Sequence, residues 1–157
     1  MSKDSPGFTD GFVREARLAD GAETAALGAR IADGLAVGDA VALEGDLGAG
    51  KTTLARAVLR ALGVREDVPS PTFTLVQEYD TPRLIVRHYD LYRLADAAEI
   101  GELGLDEALD EGAALIEWPE RAGNRLPPET LHVALTITGA ESRHARLSGP
   151  AKWARYV

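Results

Sequence analysis

Gly45-Asp46-Leu47-Gly48-Ala49-Gly50-Lys51-Thr52 sets three glycines, an amine and a hydroxyl in the order GxxxxGK[ST]. That order suits a polyphosphate. Glycines lack a Cβ, so the backbone can turn tightly and approach phosphate oxygens, with successive N–H dipoles forming an anion nest. A helix starting at Lys51 would add its unpaired first N–H groups and the positive end of its dipole. Lys51 supplies a mobile cation for the β- and γ-phosphates, and the Thr52 hydroxyl a ligand for the Mg²⁺ that bridges them. Gly45 to Thr53 are therefore the candidate phosphate-binding residues, with Lys51 also a candidate catalytic group.

Two carboxylates are candidates to complete this chemistry. Asp90 ends the apolar run Leu84 to Tyr89, where a strand-terminal aspartate beside a phosphate loop performs the Walker B role, on or next to the metal; a plain strand-ending aspartate is the alternative. Glu117 ends the apolar run Ala113 to Ile116. Ligands of open α/β sheets sit outside the carboxyl ends of the strands, so Glu117 could hold Mg²⁺ or orient water. Trp118 is either cover for the site or a stacking surface. A lone His88 reads as a packed or surface residue.

The elements that must position these groups follow from periodicity. Val41 to Glu44 form a short strand, and Leu54, Ala55, Val58, Leu59 and Leu62 recur at helical spacing, with Gly63 as the stop. Phe12 to Leu18 reads as an edge strand. Thr24 is placed to cap a helix through Leu27, Ile31 and Leu35. The segment Val68 to Thr74, with Pro69 and Pro71, cannot be helical. It is either a connector or a semi-rigid loop presenting Ser70, Thr72 and Thr74 where nucleotide switches set a hydroxyl near Mg²⁺ or the γ-phosphate. A hairpin follows from Thr74 to Tyr89, turning at Asp80 to Arg83. Asp96 to Leu109 predicts two short helices broken at Gly101 and Gly104, with an acidic solvated face. Alternation at Leu131, Val133, Leu135 and Ile137, then Arg143 to Leu147, predicts a terminal hairpin. Its cationic Arg143, His144 and Arg146 either face a nucleotide or blunt a sheet edge.

The expected fold is α/β: a P-loop NTPase-like three-layer domain, with a mostly parallel central sheet, added antiparallel strands and a C-terminal hairpin. Its 157 residues suit one domain, expected over 13–150, between a disordered tail at 1–12 and a C-terminal tail at 151–157. No run approaches the length needed to span a bilayer, and the first residues carry no apolar signal segment. A cytoplasmic protein without membrane contact is expected. The absence of cysteine excludes disulfides and thiolate chemistry. A net charge of −8 argues against a broad nucleic-acid surface, so any service to RNA would pass through a protein partner.

Four segments, GDLGAGKTT at 45–53, SPTFTLV at 70–76, HYDLYRL at 88–94 and EWPER at 117–121, together resemble the bacterial TsaE (YjeE) family. The helix segment ETAALGARIA at 23–32 is also similar. The resemblance covers about residues 20–147 and implies the ATPase component of the machinery that makes threonylcarbamoyladenosine in tRNA. It implies that Gly48 to Thr53 bind the phosphates of ATP, that Thr52 and Glu117 ligate Mg²⁺, and that Asp90 serves as Walker B. Ser70 to Phe73, including Thr72, would be the switch loop. Trp118 would lie beside the nucleotide, with Thr24 and Arg143 where the flanking helix and terminal hairpin approach it. The implied partners are TsaD and TsaB, which transfer the threonylcarbamoyl group to the adenosine following the anticodon. Slow intrinsic hydrolysis, stimulated by those partners, would fit a site that outside contacts complete.

Two other classes share a phosphate loop. A small-molecule kinase would carry an arginine-rich lid after the central helices, and a GTP-type switch an NKxD motif; the sequence contains neither.

Overall fold

A computed structural model describes residues 11–157. The chain forms one seven-stranded sheet: β1 (Gly11–Leu18), β2 (Ala40–Glu44), β3 (Val76–Asp80), β4 (Ile85–Asp90), β5 (Gly112–Glu117), β6 (Leu131–Ile137) and β7 (Arg143–Pro150). Their spatial order is β1-β7-β6-β2-β5-β4-β3. The central strands β6, β2, β5 and β4 run parallel, and β3, β7 and β1 add antiparallel edges. The helices are α1 (Gly21–Gly34), α2 (Lys51–Ala61) and α3 (Leu105–Glu111), joined by short 3₁₀ segments.

Both faces of the centre are covered, which is why β2 and β5 read as continuous apolar runs. Val41, Leu43, Ala113 and Leu115 point into the larger core with α1 and α2. Ala40, Ala114 and Ile116 point the other way, into a second core with Leu105 and Ala108 of α3. This alternation gives the expected three layers. Helices α1 and α2 approach closely at Gly28, where a Cβ would stand 2.5 Å from that of Ala57.

Several boundaries differ from the sequence expectations. Residues 1–10 of the expected tail lie outside the described residues, while Gly11 and Phe12 already belong to β1, paired with Pro150 and Gly149. The cap of α1 is Asp20, whose carboxylate accepts from the Glu23 amide at 3.1 Å. Thr24 is one turn inside the helix and buried, because Asp20 already satisfies the orphan donor that a cap serves. Gly101 does not break its segment: one 3₁₀ stretch runs from Ala97 to Leu103, and only Gly104, at φ 71°, interrupts it. Residues 151–157 are not a free tail. A 3₁₀ turn at Ala151–Arg155 buries Trp153 completely against Gly34, whose missing Cβ leaves room for the indole. Lys152 adds a 2.6 Å contact to Asp39. Among the described residues no helix is long and apolar enough to cross a membrane.

Candidate active site

Strand β2 ends at Glu44 and helix α2 begins at Lys51, so the glycine-rich segment is the loop between a central strand and a helix, as its composition demands. Gly45, Gly48 and Gly50 have φ of 146°, 84° and 107°, angles that side-chain-bearing residues rarely adopt. At Gly45 a Cβ would also stand 2.6 Å from the Leu135 carbonyl. Ala49 turns its methyl into the core, so it can serve a ligand only through its backbone. Asp46 and Leu47 are exposed at the mouth.

Lys51 is 4% exposed. Its ammonium donates to the carbonyls of Gly45 and Asp46 and lies 4.0 Å from the centroid of the Trp118 ring. Burial lowers its pKa from the ordinary lysine value, opposed by the negative charges of Glu117, Glu120, Asp90 and Asp46. The next residue, Thr52, donates from Oγ1 to the Glu117 carboxylate, 2.9 Å from each oxygen.

Glu117 and Asp90 are register partners at the ends of β5 and β4, which sets both carboxylates at the edge of the sheet that carries the loop. Both are buried. Asp90 Oδ2 accepts from Ser70 at 2.8 Å and Thr72 at 3.2 Å, and Oδ1 accepts from the Tyr92 amide at 3.0 Å. Asp90 therefore anchors the proline-containing loop. Thr74, expected to be presented with Ser70 and Thr72, is exposed and takes no part in this network. The next residue, Leu75, closes the loop with a left-handed φ of 68°, its N–H on the Pro71 carbonyl and its carbonyl accepting from the Asp90 amide. Trp118, at φ 57°, is the other left-handed non-glycine among the described residues. Strain of this kind persists where surroundings over-determine it: Trp118 lines the cleft beside Lys51, and Leu75 packs on the second core.

That cleft, about 430 Å³, is lined by Lys51, Thr52, Thr53, Thr72, Asp90 and Glu117, with Tyr92, Arg93 and Trp118 at its wall. Thr24 and Arg143 do not enter it. They meet instead in an adjoining cavity of about 260 Å³ with Gly50, Thr53, Leu135 and Glu141. Arg143 donates from Nε to the Ala49 carbonyl at 3.0 Å and from Nη2 to that of Gly48 at 3.2 Å, bracing the loop from outside. His144 and Arg146 lie on the opposite face of β7, where His144 Nε2 pairs with Glu15 at 2.8 Å. A third cavity, about 700 Å³, opens beside Glu44, Asp46 and His132. It lacks Lys51, Thr52 and both strand-end carboxylates, so the chemical groups converge on the smaller cleft.

The donor set around Thr52 suits a hard cation: hydroxyl and carboxylate oxygen, with no sulfur. Among the described residues no three His, Asp or Glu side chains form a complete cage. An ion held by Thr52 and Glu117 would complete its shell with phosphate oxygens and water, the usual manner of Mg²⁺.

His88, read from the sequence as a packed or surface residue, is packed, and it makes a contact the sequence did not reveal. It is fully buried, and its Nε2 lies 2.6 Å from Oε2 of Glu117. The signal was its position two residues before Asp90, which on a strand puts both on one face.

A family model described as "Threonylcarbamoyl adenosine biosynthesis protein TsaE" matches residues 18–145. A tRNA threonylcarbamoyladenosine biosynthesis protein TsaE from Rickettsia felis is 42% identical over 122 residues, 77% of this chain and 71% of that protein. A protein of the same description from Nostoc is 40% identical over 136 residues, 83% of each chain. The crystal structure of Bacillus subtilis YdiB superposes with a TM-score of 0.76 at 32% identity, covering 93% of this chain and 90% of that one.

Proposed function

This chain belongs to the TsaE family of tRNA threonylcarbamoyladenosine biosynthesis, and on that premise we propose that it binds ATP with Mg²⁺ and hydrolyses it as an accessory subunit. The loop from Gly45 to Thr53 would hold the phosphates through its N–H groups, with Lys51 leaving its carbonyl partners for the β- and γ-oxygens. Thr52 and Glu117 would hold the metal, with Asp90 beside them. When bound, Mg²⁺ neutralises charge developing on the phosphoryl oxygens and aligns them. The side chains do the rest: Glu117 can orient water, Asp90 keeps Ser70 and Thr72 at the cleft, and Trp118 covers Lys51. Thr24 and Arg143 line the adjoining cavity, where the nucleoside end of the ligand would extend.

The observation that carries this reading is the meeting of Thr52 with Glu117 beside Lys51, three residues from a loop and a strand end 65 positions apart. The net charge of −8 disfavours a broad phosphate-backbone contact. The reading therefore assigns tRNA contact and group transfer to the partners TsaD and TsaB, in the cytoplasm, with this chain supplying the nucleotide cycle.

ATP hydrolysis by the purified chain, alone and with TsaB and TsaD from the same source, tests this directly, with Lys51→Ala as the blank. Slow turnover that the pair stimulates is expected. Phosphorylation of a small acceptor by the chain alone, with no response to the pair, would replace this reading with that of a kinase.

A further inference from the structure

His88 places a polar ring where a purely packing residue would be apolar. The ring is fully buried, Nε2 stands 2.6 Å from Glu117 Oε2, and Nδ1 is buried with no hydrogen-bond partner. A buried unpartnered nitrogen is destabilising, so the ring is retained for what its other nitrogen does.

The hydrogen-bond inventory assigns that task. A carboxylate oxygen accepts, and the Nε2 contact therefore places a proton on Nε2. Glu117 Oε2 accepts from both His88 and Thr52, whereas Oε1 accepts from Thr52 alone. We propose that His88 is the positioning residue of the cation site: it fixes Glu117 by Oε2 and leaves Oε1 as the oxygen open to a divalent cation. The geometry is diagonal across the β4–β5 ladder. His88 pairs with Leu115 and Asp90 with Glu117, so His88 reaches the carboxylate from two residues back on the same face. This role rests on the reading of Thr52 and Glu117 as the ligands of Mg²⁺.

Groups behind a metal ligand commonly contribute about 10- to 100-fold to metal affinity. The test compares His88→Met with His88→Gln, side chains of similar length that differ in having an N–H donor. ADP binding is measured by calorimetry in saturating Mg²⁺ and in EDTA. In wild-type protein Mg²⁺ is expected to tighten binding; His88→Met loses about tenfold or more of that gain with affinity in EDTA unchanged, and His88→Gln keeps most of it. A wild-type gain that survives intact in His88→Met, or is lost equally in both variants, overturns the positioning role while leaving the cation reading standing. No Mg²⁺ gain in wild-type protein overturns both. A measurement on the unsubstituted chain guards against a variant that fails to fold: long-range ¹⁵N–¹H correlation of the His88 ring. A proton on Nε2 supports the assignment, and a proton on Nδ1 without one on Nε2 overturns it.

Discussion

The ammonium of Lys51 rests 4.0 Å from the centroid of the Trp118 ring, so the cation of the phosphate loop and the indole of the EWPER segment form one contact. Cation–π attraction is worth about 0.5–1 kcal/mol at exposed sites and about 2 kcal/mol or more when desolvated, still less than a charged phosphate offers. Nucleotide should therefore draw Lys51 off the indole and change Trp118 emission, with Trp153, fully buried away from the cleft, as a constant background. Lys51→Ala should abolish the change at moderate ATP concentration, and Trp118→Phe should remove it while binding persists. Emission that ignores saturating ATP would refute the idea.

Asp90 holds the proline-containing loop through Ser70 and Thr72. Hydrogen bonds to a charged group contribute about 1.5–3 kcal/mol, so Asp90→Ala should accelerate amide exchange across residues 70–75 by at least about tenfold. The central strands should exchange as before. Hydrogen-exchange mass spectrometry reads both, and an unchanged loop would show that the prolines alone hold it.

Gly28→Ala exchanges glycine for the best helix former, which in an open helix stabilises by about 1 kcal/mol. Here the new methyl would stand 2.5 Å from that of Ala57 and 3.0 Å from its backbone carbon. Overpacking of this sort costs about 1–3 kcal/mol, so urea unfolding should report a net loss. Adding Ala57→Gly should recover part of it, a coupling that independent sites would not display.

Trp153→Ala removes a fully buried indole and should cost about 3–5 kcal/mol in chemical unfolding. The neighbouring Lys152→Ala loses only a partly exposed ion pair with Asp39 and should change stability by less than about 1 kcal/mol. Equal effects would mean that the C-terminal turn is held by charge and not by packing.

What could be read from the sequence was what depends on neighbours along the chain. The glycines and Lys51-Thr52 announce a phosphate loop, and the apolar runs before Asp90 and Glu117 announce central strands. The errors arose where distant segments decide. Trp153 is buried because Gly34, far away in sequence, lacks a side chain, and nothing near residue 153 reveals that. The packing of His88 was legible but its contact with Glu117 was not, because Glu117 lies on another strand and only the β4–β5 register makes them neighbours. Asp20, the stronger cap type of the two, caps the helix in place of Thr24, so here local preference was legible and was passed over.

Strand β2 carries the phosphate loop, yet its two sheet neighbours are β5 and β6, which follow it by some 70 to 90 residues (Ala40 beside Ala114, Val41 beside Leu131). On the ribosome, therefore, residues 40–44 emerge long before either ladder partner exists, and Arg143, which braces Gly48 and Ala49, emerges later still. Contacts this far apart in sequence form slowly. A growing chain thus carries its signature motif early but acquires the shape of that motif only once residues 112–143 have emerged, so nucleotide competence lags behind the synthesis of the loop itself.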